Sequence, residues 1–257
     1  MRKKMIGVLT SLLVLLSASL VTGAEIYVPE IKSFPEVEKM QSEFGRIVGK
    51  RLVEEKYLSS TAKYCAVAIS INPEFQKSQY FVYVDRNPDR QLILICFYDA
   101  ALKKVEILGV DKTSTGNPNR NGFFETPVGF LKNTPEIMGY RAQGTKNSKG
   151  WRGLGGKDSR IWDFGWQTTC KNGRPVQIRL LMHATDPDFG EARLGQVDSK
   201  GCIRISANLN HFLDHHGIID REYEERNSAK KIWLLKADRE PANYAGKYVL
   251  VGDSQNY

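Results

Sequence analysis

The chain has 257 residues, a formal charge of +8 from 37 basic and 29 acidic side chains, and four cysteines. That length is ample for one large core with an appendage, and four cysteines are too few for a disulfide scaffold. The scattered basicity suits a polyanionic envelope surface better than nucleic acid.

Arg2, Lys3 and Lys4 precede an apolar stretch from Met5 to Val21, and Thr22-Gly23-Ala24 follows. A basic start, an apolar middle and a small-residue end predict a secretory signal over residues 1–24, removed after Ala24, and hence a periplasmic or cell-envelope protein. The rival readings are a buried first helix and an uncleaved anchor, but the stretch is barely long enough to span a bilayer. No later stretch is apolar enough to cross a membrane, so no stable span is expected after cleavage. Without the three basic residues of the leader the charge falls from +8 to +5.

Residues 25–77 read as an N-terminal helical extension. Val37, Met40, Phe44, Ile47, Val48, Leu52 and Tyr57 recur at three- and four-residue steps and predict one amphipathic helix over residues 34–60. From Tyr64 the pattern changes to short apolar runs at 64–71, 80–85, 92–98 and 105–110, the middle two joined by Asn87-Pro88-Asp89-Arg90, which is a hairpin style of sequence. Cys65 and Cys96 fall in two of these runs and read as strand residues, either paired or left as buried thiols. Residues 113–156 are rich in Gly, Asn, Ser, Thr, Lys and Pro, and a loop of that length often borders a site.

Further strands are expected at 161–167, 176–183 and 231–236, with a helix over 206–216 that Gly217 ends. Trp162 and Phe164 read as core residues of the first of these strands. Trp151 and Arg152 just ahead of it read as a glycine-hinged cap over the site, contacting sugar or peptide. Residues 237–257 read as a tail packing on the domain. His211, His215 and His216 fit a helix face and its polar end. With no C-x-x-C pair and no second His at helical spacing from His183, no metal and no other cofactor is predicted.

The segment Ile178–Ile205, IRLLMHATDPDFGEARLGQVDSKGCIRI, carries the chemistry. An apolar strand ends at His183, a polar loop follows, and Cys202 comes nineteen positions later. An imidazole brought back against the thiol can take its proton and return it to a leaving amine. Gly201 leaves the backbone open, so amide N–H groups near Cys202 can face an oxyanion. Lys200 and Arg204 place positive charge beside the sulfur, and Arg204 is also suited to a substrate carboxylate. A Cys and a His so spaced are by themselves weak evidence, since most such pairs are a buried thiol and a satisfied histidine.

Ser199-Lys200-Gly201-Cys202-Ile203-Arg204 after His183-Ala184-Thr185 resembles the active-site signature of the L,D-transpeptidase catalytic domain family. Tyr80 to Asp99 is similar to that family's opening hairpin, and Thr113–Gly116 and Thr126–Gly129 resemble its S-T-G and T-P-x-G segments. The resemblance covers residues 78–236. It implies a mainly β fold, a sandwich or barrel with a helix after the cysteine, to which the N-terminal helical extension is added. It also implies Cys202 as acyl-forming nucleophile, His183 as base, Ser199, Lys200 and Gly201 around the oxyanion pocket, and Arg204 supporting it. Lys200 stands where many members have a second His, and Ala184 where many have Gly.

The implied activity is transfer of a peptidoglycan stem tetrapeptide through a Cys thioester to an amine, giving 3→3 cross-links. A wall-attached protein is a second candidate acceptor or substrate. The alternatives are an L,D-carboxypeptidase or amidase, in which water resolves the thioester, and a catalytically silent wall-binding module. A sortase-like enzyme is disfavoured by its more distant His.

Overall fold

The computed structural model describes residues 24–32 and 34–257. The expected signal therefore lies, but for Ala24, outside the described residues.

The described residues form two main sheets, a two-stranded ladder and four α-helices. The larger sheet holds β3 (Gln79–Asp85), β4 (Leu92–Asp99), β5 (Lys104–Lys112), β6 (Gly129–Lys132) and β11 (Tyr248–Gly252) in the order β5-β4-β3-β11-β6. The smaller holds β7 (Tyr140–Arg141), β8 (Arg160–Lys171), β9 (Arg174–Ala184) and β10 (Ile203–Ile205) in the order β10-β9-β8-β7. A two-residue ladder, β1 (Glu25–Ile26) with β2 (Val53–Glu54), lies at the N-terminal side. The helices are α1 (Pro35–Ile47), α2 (Glu55–Ser70), α3 (Ala207–His215) and α4 (Arg221–Ala229).

Strands β3 and β4 are buried on both faces, which is why they read as nearly unbroken apolar runs. In antiparallel register, Tyr80, Val82 and Val84 with Phe97, Ile95 and Ile93 turn to one face, where Trp162, Phe164, Leu180, Met182, Ile203 and Ile205 of the smaller sheet join them in one core. The alternate residues Phe81 and Tyr83, with Cys96 and Leu94, meet Tyr57, Leu58, Cys65 and Ile69 of α2 on the opposite face. The result is helix α2, the larger sheet and the smaller sheet as three layers.

Several expectations need correction. The single helix expected over 34–60 is two. Pro35 opens α1 with Glu36 and Glu38 in its first turn, where the helix dipole favours them, and the chain breaks at Gly49, whose φ is +105°. Cys65 sits in a helix, not a strand, because residues 57, 58, 61, 65 and 69 form the buried stripe of α2. Both Cys65 and Cys96 are buried free thiols. Residues 231–236 form no strand; Ile232 and Leu234 alternate inward onto Tyr223, with no strand beside them to pair with. Finally, the C-terminal tail contributes β11, which is inserted between β3 (parallel) and β6 (antiparallel) with all five residues buried.

Helix α3, which follows the cysteine strand, is fixed from beneath by charge. Ser206 caps it, accepting from Leu209 N–H at 3.1 Å. Asn210 takes the Arg160 N–H and donates to the Arg160 carbonyl, at 3.0 and 2.8 Å. Arg141 makes a two-pronged contact with Asp214 at 2.8 and 3.0 Å, and Arg239 Nε donates to the Asp214 carbonyl at 2.5 Å. Removing one partner of such a buried pair strands the other charge, so these contacts pin α3 in one position.

Candidate active site

Strand β10 is three residues long and pairs parallel with β9 in the register Ile203↔Met182, Arg204↔His183 and Ile205↔Ala184. Side chains alternate along a strand, so Ile203, Ile205 and Met182 point into the core while Arg204 and His183 share the other face. Cys202, one residue before β10, falls on the face of Arg204 and His183. Its thiol lies against the Leu181 main chain, and a hydrogen bond from there favours the thiolate.

The loop that carries the sulfur is held atom by atom. Ser199 Oγ donates to Cys202 O at 2.5 Å and accepts from Gly201 N–H at 3.0 Å. Thr126 Oγ1 donates to Gly201 O at 2.8 Å and accepts from Gly116 N–H at 2.9 Å. Phe124 N–H reaches Lys200 O at 3.3 Å, and Ser199 N–H reaches Thr115 O at 2.9 Å. Arg204 and Ser114 exchange both main-chain bonds at 2.9 and 3.0 Å. Residues 113–116 and Thr126 therefore clamp the cysteine loop from both sides. Gly201 has φ +134°, a region that side-chain-bearing residues avoid, and a Cβ on Gly116 would meet Phe124 O at 1.9 Å. Within the described residues the amide N–H groups of Lys200 and Cys202 have no acceptor, although every carbonyl from 200 to 202 has a donor. Unpaired amides flanking a nucleophile are the donors an oxyanion needs.

His183 is buried, and its Nδ1 lies 2.8 Å from the carbonyl of Ala184. A carbonyl only accepts, so Nδ1 carries the proton and Nε2 keeps its lone pair, the tautomer a general base requires. Burial pushes the imidazole down to about 4, partly offset by the Ala184 carbonyl, while the Arg204 charge lowers it further. Burial likewise raises the Cys202 thiol above its ordinary range, against the Leu181 contact and Arg204, which pull it down. Both groups are thus neutral at rest. No hydrogen bond joins the imidazole and the sulfur. Cys202 is half-buried as a residue.

Of the other expected residues, Arg204 does not reach freely into solvent. Its guanidinium pairs with Asp198 at 3.1 Å, and the same carboxylate also receives Arg193 at 2.5 Å and Arg120 at 3.1 Å. One buried acid thus gathers three arginines and leaves an excess of positive charge beside the cysteine. Lys200 is exposed, its ammonium 5.8 Å from the Phe123 ring centre. Trp151 packs against Arg193, 5.6 Å from ring centre to guanidinium, and so touches the arginine cluster. Arg152 holds the loop after β9 through Asp188 at 2.5 Å and Asp186 at 3.7 Å, while its main-chain N–H bonds Asp186 at 2.6 Å. Trp162 and Phe164 are core residues. Cys170 is exposed near the far end of β8.

Thr126, Thr115, Asp198, Arg120 and Arg193 escaped assignment as site residues. Asp198 had a readable signal, an acid close before a basic residue in the same short segment. Arg120 and Arg193 had none, because they come from separate loops. No protein-family model matches the chain, and neither does any curated protein.

Proposed function

We propose that this chain is an exported cysteine acyltransferase of the L,D-transpeptidase type that acts on peptidoglycan stem peptides. The observation that carries the reading is the β9–β10 register, which sets His183 and Cys202 on one face beside the unpaired amides of Lys200 and Cys202. In the first step the His183 Nε2 lone pair takes the thiol proton as sulfur attacks the carbonyl of the third stem residue. The C–N bond to the terminal D-alanine then breaks, and the imidazolium returns the proton to the departing amine. In the second step the acceptor amine attacks the thioester, loses a proton to His183, and sulfur leaves and is reprotonated.

The low basicity of His183 keeps the imidazole unprotonated and able to accept a proton, and the raised thiol stays protonated until the sulfur attacks. The Lys200 and Cys202 amides stabilise the tetrahedral oxyanion, a contribution of about 2.7–4 kcal/mol per donor in comparable sites. The Arg204, Arg193 and Arg120 cluster around Asp198 supplies a cationic rim for the stem carboxylates.

Incubation with a tetrapeptide muropeptide whose third residue is a diamino acid tests this. Cross-linked dimers with loss of D-alanine are expected, and the Cys202→Ala variant makes none. Tripeptide without dimer assigns the hydrolytic reaction instead, and turnover retained in Cys202→Ala refutes both.

A further inference from the structure

Helix α3 ends in two histidines, and the chain beyond α4 returns to that end. Glu240 N–H donates to His215 O at 2.9 Å and Ala242 N–H to His216 O at 2.8 Å. These bonds gather side chains as well as backbone. One ring nitrogen from each of His215 and His216 and a carboxylate oxygen of Glu240 all lie within 4.8 Å of one another. The two imidazoles are 4.8 Å apart, close to perpendicular, and they line a cavity of about 370 Å³ whose opposite wall is Glu36, Lys39, Glu43 and Arg46 of α1.

His216 is the informative member. It is 4% exposed, and its Nδ1 lies 3.3 Å from the Glu240 carbonyl, which can only accept. Nδ1 therefore carries the proton and Nε2 presents a bare lone pair, yet Nε2 has no partner. A buried polar atom left unpaired is costly. An imidazole oriented by a main-chain carbonyl on one nitrogen, with the other nitrogen open, is the arrangement in which histidine binds metal.

We propose that His215, His216 and Glu240 form a binding site for a divalent transition ion of the zinc class. Two imidazole nitrogens and one carboxylate suit zinc, whereas calcium and magnesium take oxygen ligands. Zinc–nitrogen bonds of about 2.0–2.1 Å set tetrahedral ligand atoms roughly 3.4 Å apart, so the three must close in. Glu240 is exposed and His215 half-buried, and both can turn toward the fixed His216. Glu43 is held by Arg46 at 2.6 Å and is not counted as a ligand, which leaves the fourth position open to the cavity. The ion would tie the end of α3 to the segment that leads into β11. It takes no part in the Cys202 reaction, so the two readings stand or fall separately.

The test uses the full chain carrying Cys170→Ser and Cys202→Ser, so that the exposed and the half-buried cysteine supply no ligand. After chelator treatment it is titrated with Zn²⁺ by calorimetry and with Co²⁺ by absorption. One ion per chain is expected, with cobalt d–d bands and no thiolate charge-transfer band. His215→Ala and Glu240→Gln should each weaken binding by about tenfold or more, the scale on which even outer-shell partners act. Both positions reach solvent, so circular dichroism should be unchanged. Absence of stoichiometric binding overturns the proposal, as does binding that survives both substitutions.

Discussion

Two buried imidazoles stand in the same posture and meet different neighbours. At the β9–β10 edge, His183 gives its Nδ1 proton to the Ala184 carbonyl; at the end of α3, His216 gives its own to the Glu240 carbonyl. In both, burial lowers basicity and the main chain selects the tautomer with Nε2 unprotonated. What differs is the facing group. His183 shares its face with a thiol, an arginine and two unpaired amides, which is a setting for proton transfer. His216 faces a second imidazole and a carboxylate, which is a setting for a cation. The histidine is common to both corners, and its surroundings decide the chemistry.

The sharpest way to break this contrast is to remove each imidazole in turn. His183→Asn should lower kcat/KM for the tetrapeptide by about 10²–10⁴-fold, the usual contribution of a positioned general base. His215→Ala, at the other corner, should leave that rate unchanged. Equal losses from both variants would mean that the two corners act as one site.

The next effect is on stability against pH. The folded state holds His183 at about 4, against an unfolded value near 6.5, so between these values the unfolded chain binds the extra proton. Stability should therefore fall as pH drops from about 6.5 to 4, by roughly 3 kcal/mol from this one group. Urea midpoints across that range measure it, and the His183→Asn variant should show the smaller slope. A smaller effect separates the loop from the strand. Thr126→Val removes the hydroxyl that joins Gly116 N–H to Gly201 O, at a cost of about 1–3 kcal/mol in urea unfolding. Turnover should fall with it, because the amides of the cysteine loop lose their fixed direction.

Much of the architecture was readable where burial is local. Strands β3 and β4 announced themselves as continuous apolar runs because both faces are covered. The β8–β9 hairpin carried an unused signal in Asn172-Gly173, both at positive φ, the pair that a tight hairpin turn selects. Strand β11 was not readable, since its partner Val82 lies far back in the chain and nothing near Val249 points to it. Helix α2 was misread in part because YCAVAIS has strand-like composition, while its helical stripe shows only when the window extends back to Tyr57. In the candidate site, the segment from Ser199 to Arg204 is legible because its six residues are consecutive. The gathering of Arg120, Arg193 and Arg204 on Asp198 was hidden, because a shared carboxylate is a fact of three dimensions. His215 and His216 read as a polar helix end until Glu240 was seen folded against them.

The central claim is that Cys202 is an acyl-forming nucleophile, and the mass of the intact protein after incubation with a carbapenem tests it most directly. The account predicts one added carbapenem mass, mapped to the peptide containing Cys202, slowed in His183→Asn and absent in Cys202→Ala. An unmodified Cys202, or an adduct carried by exposed Cys170 instead, would contradict it.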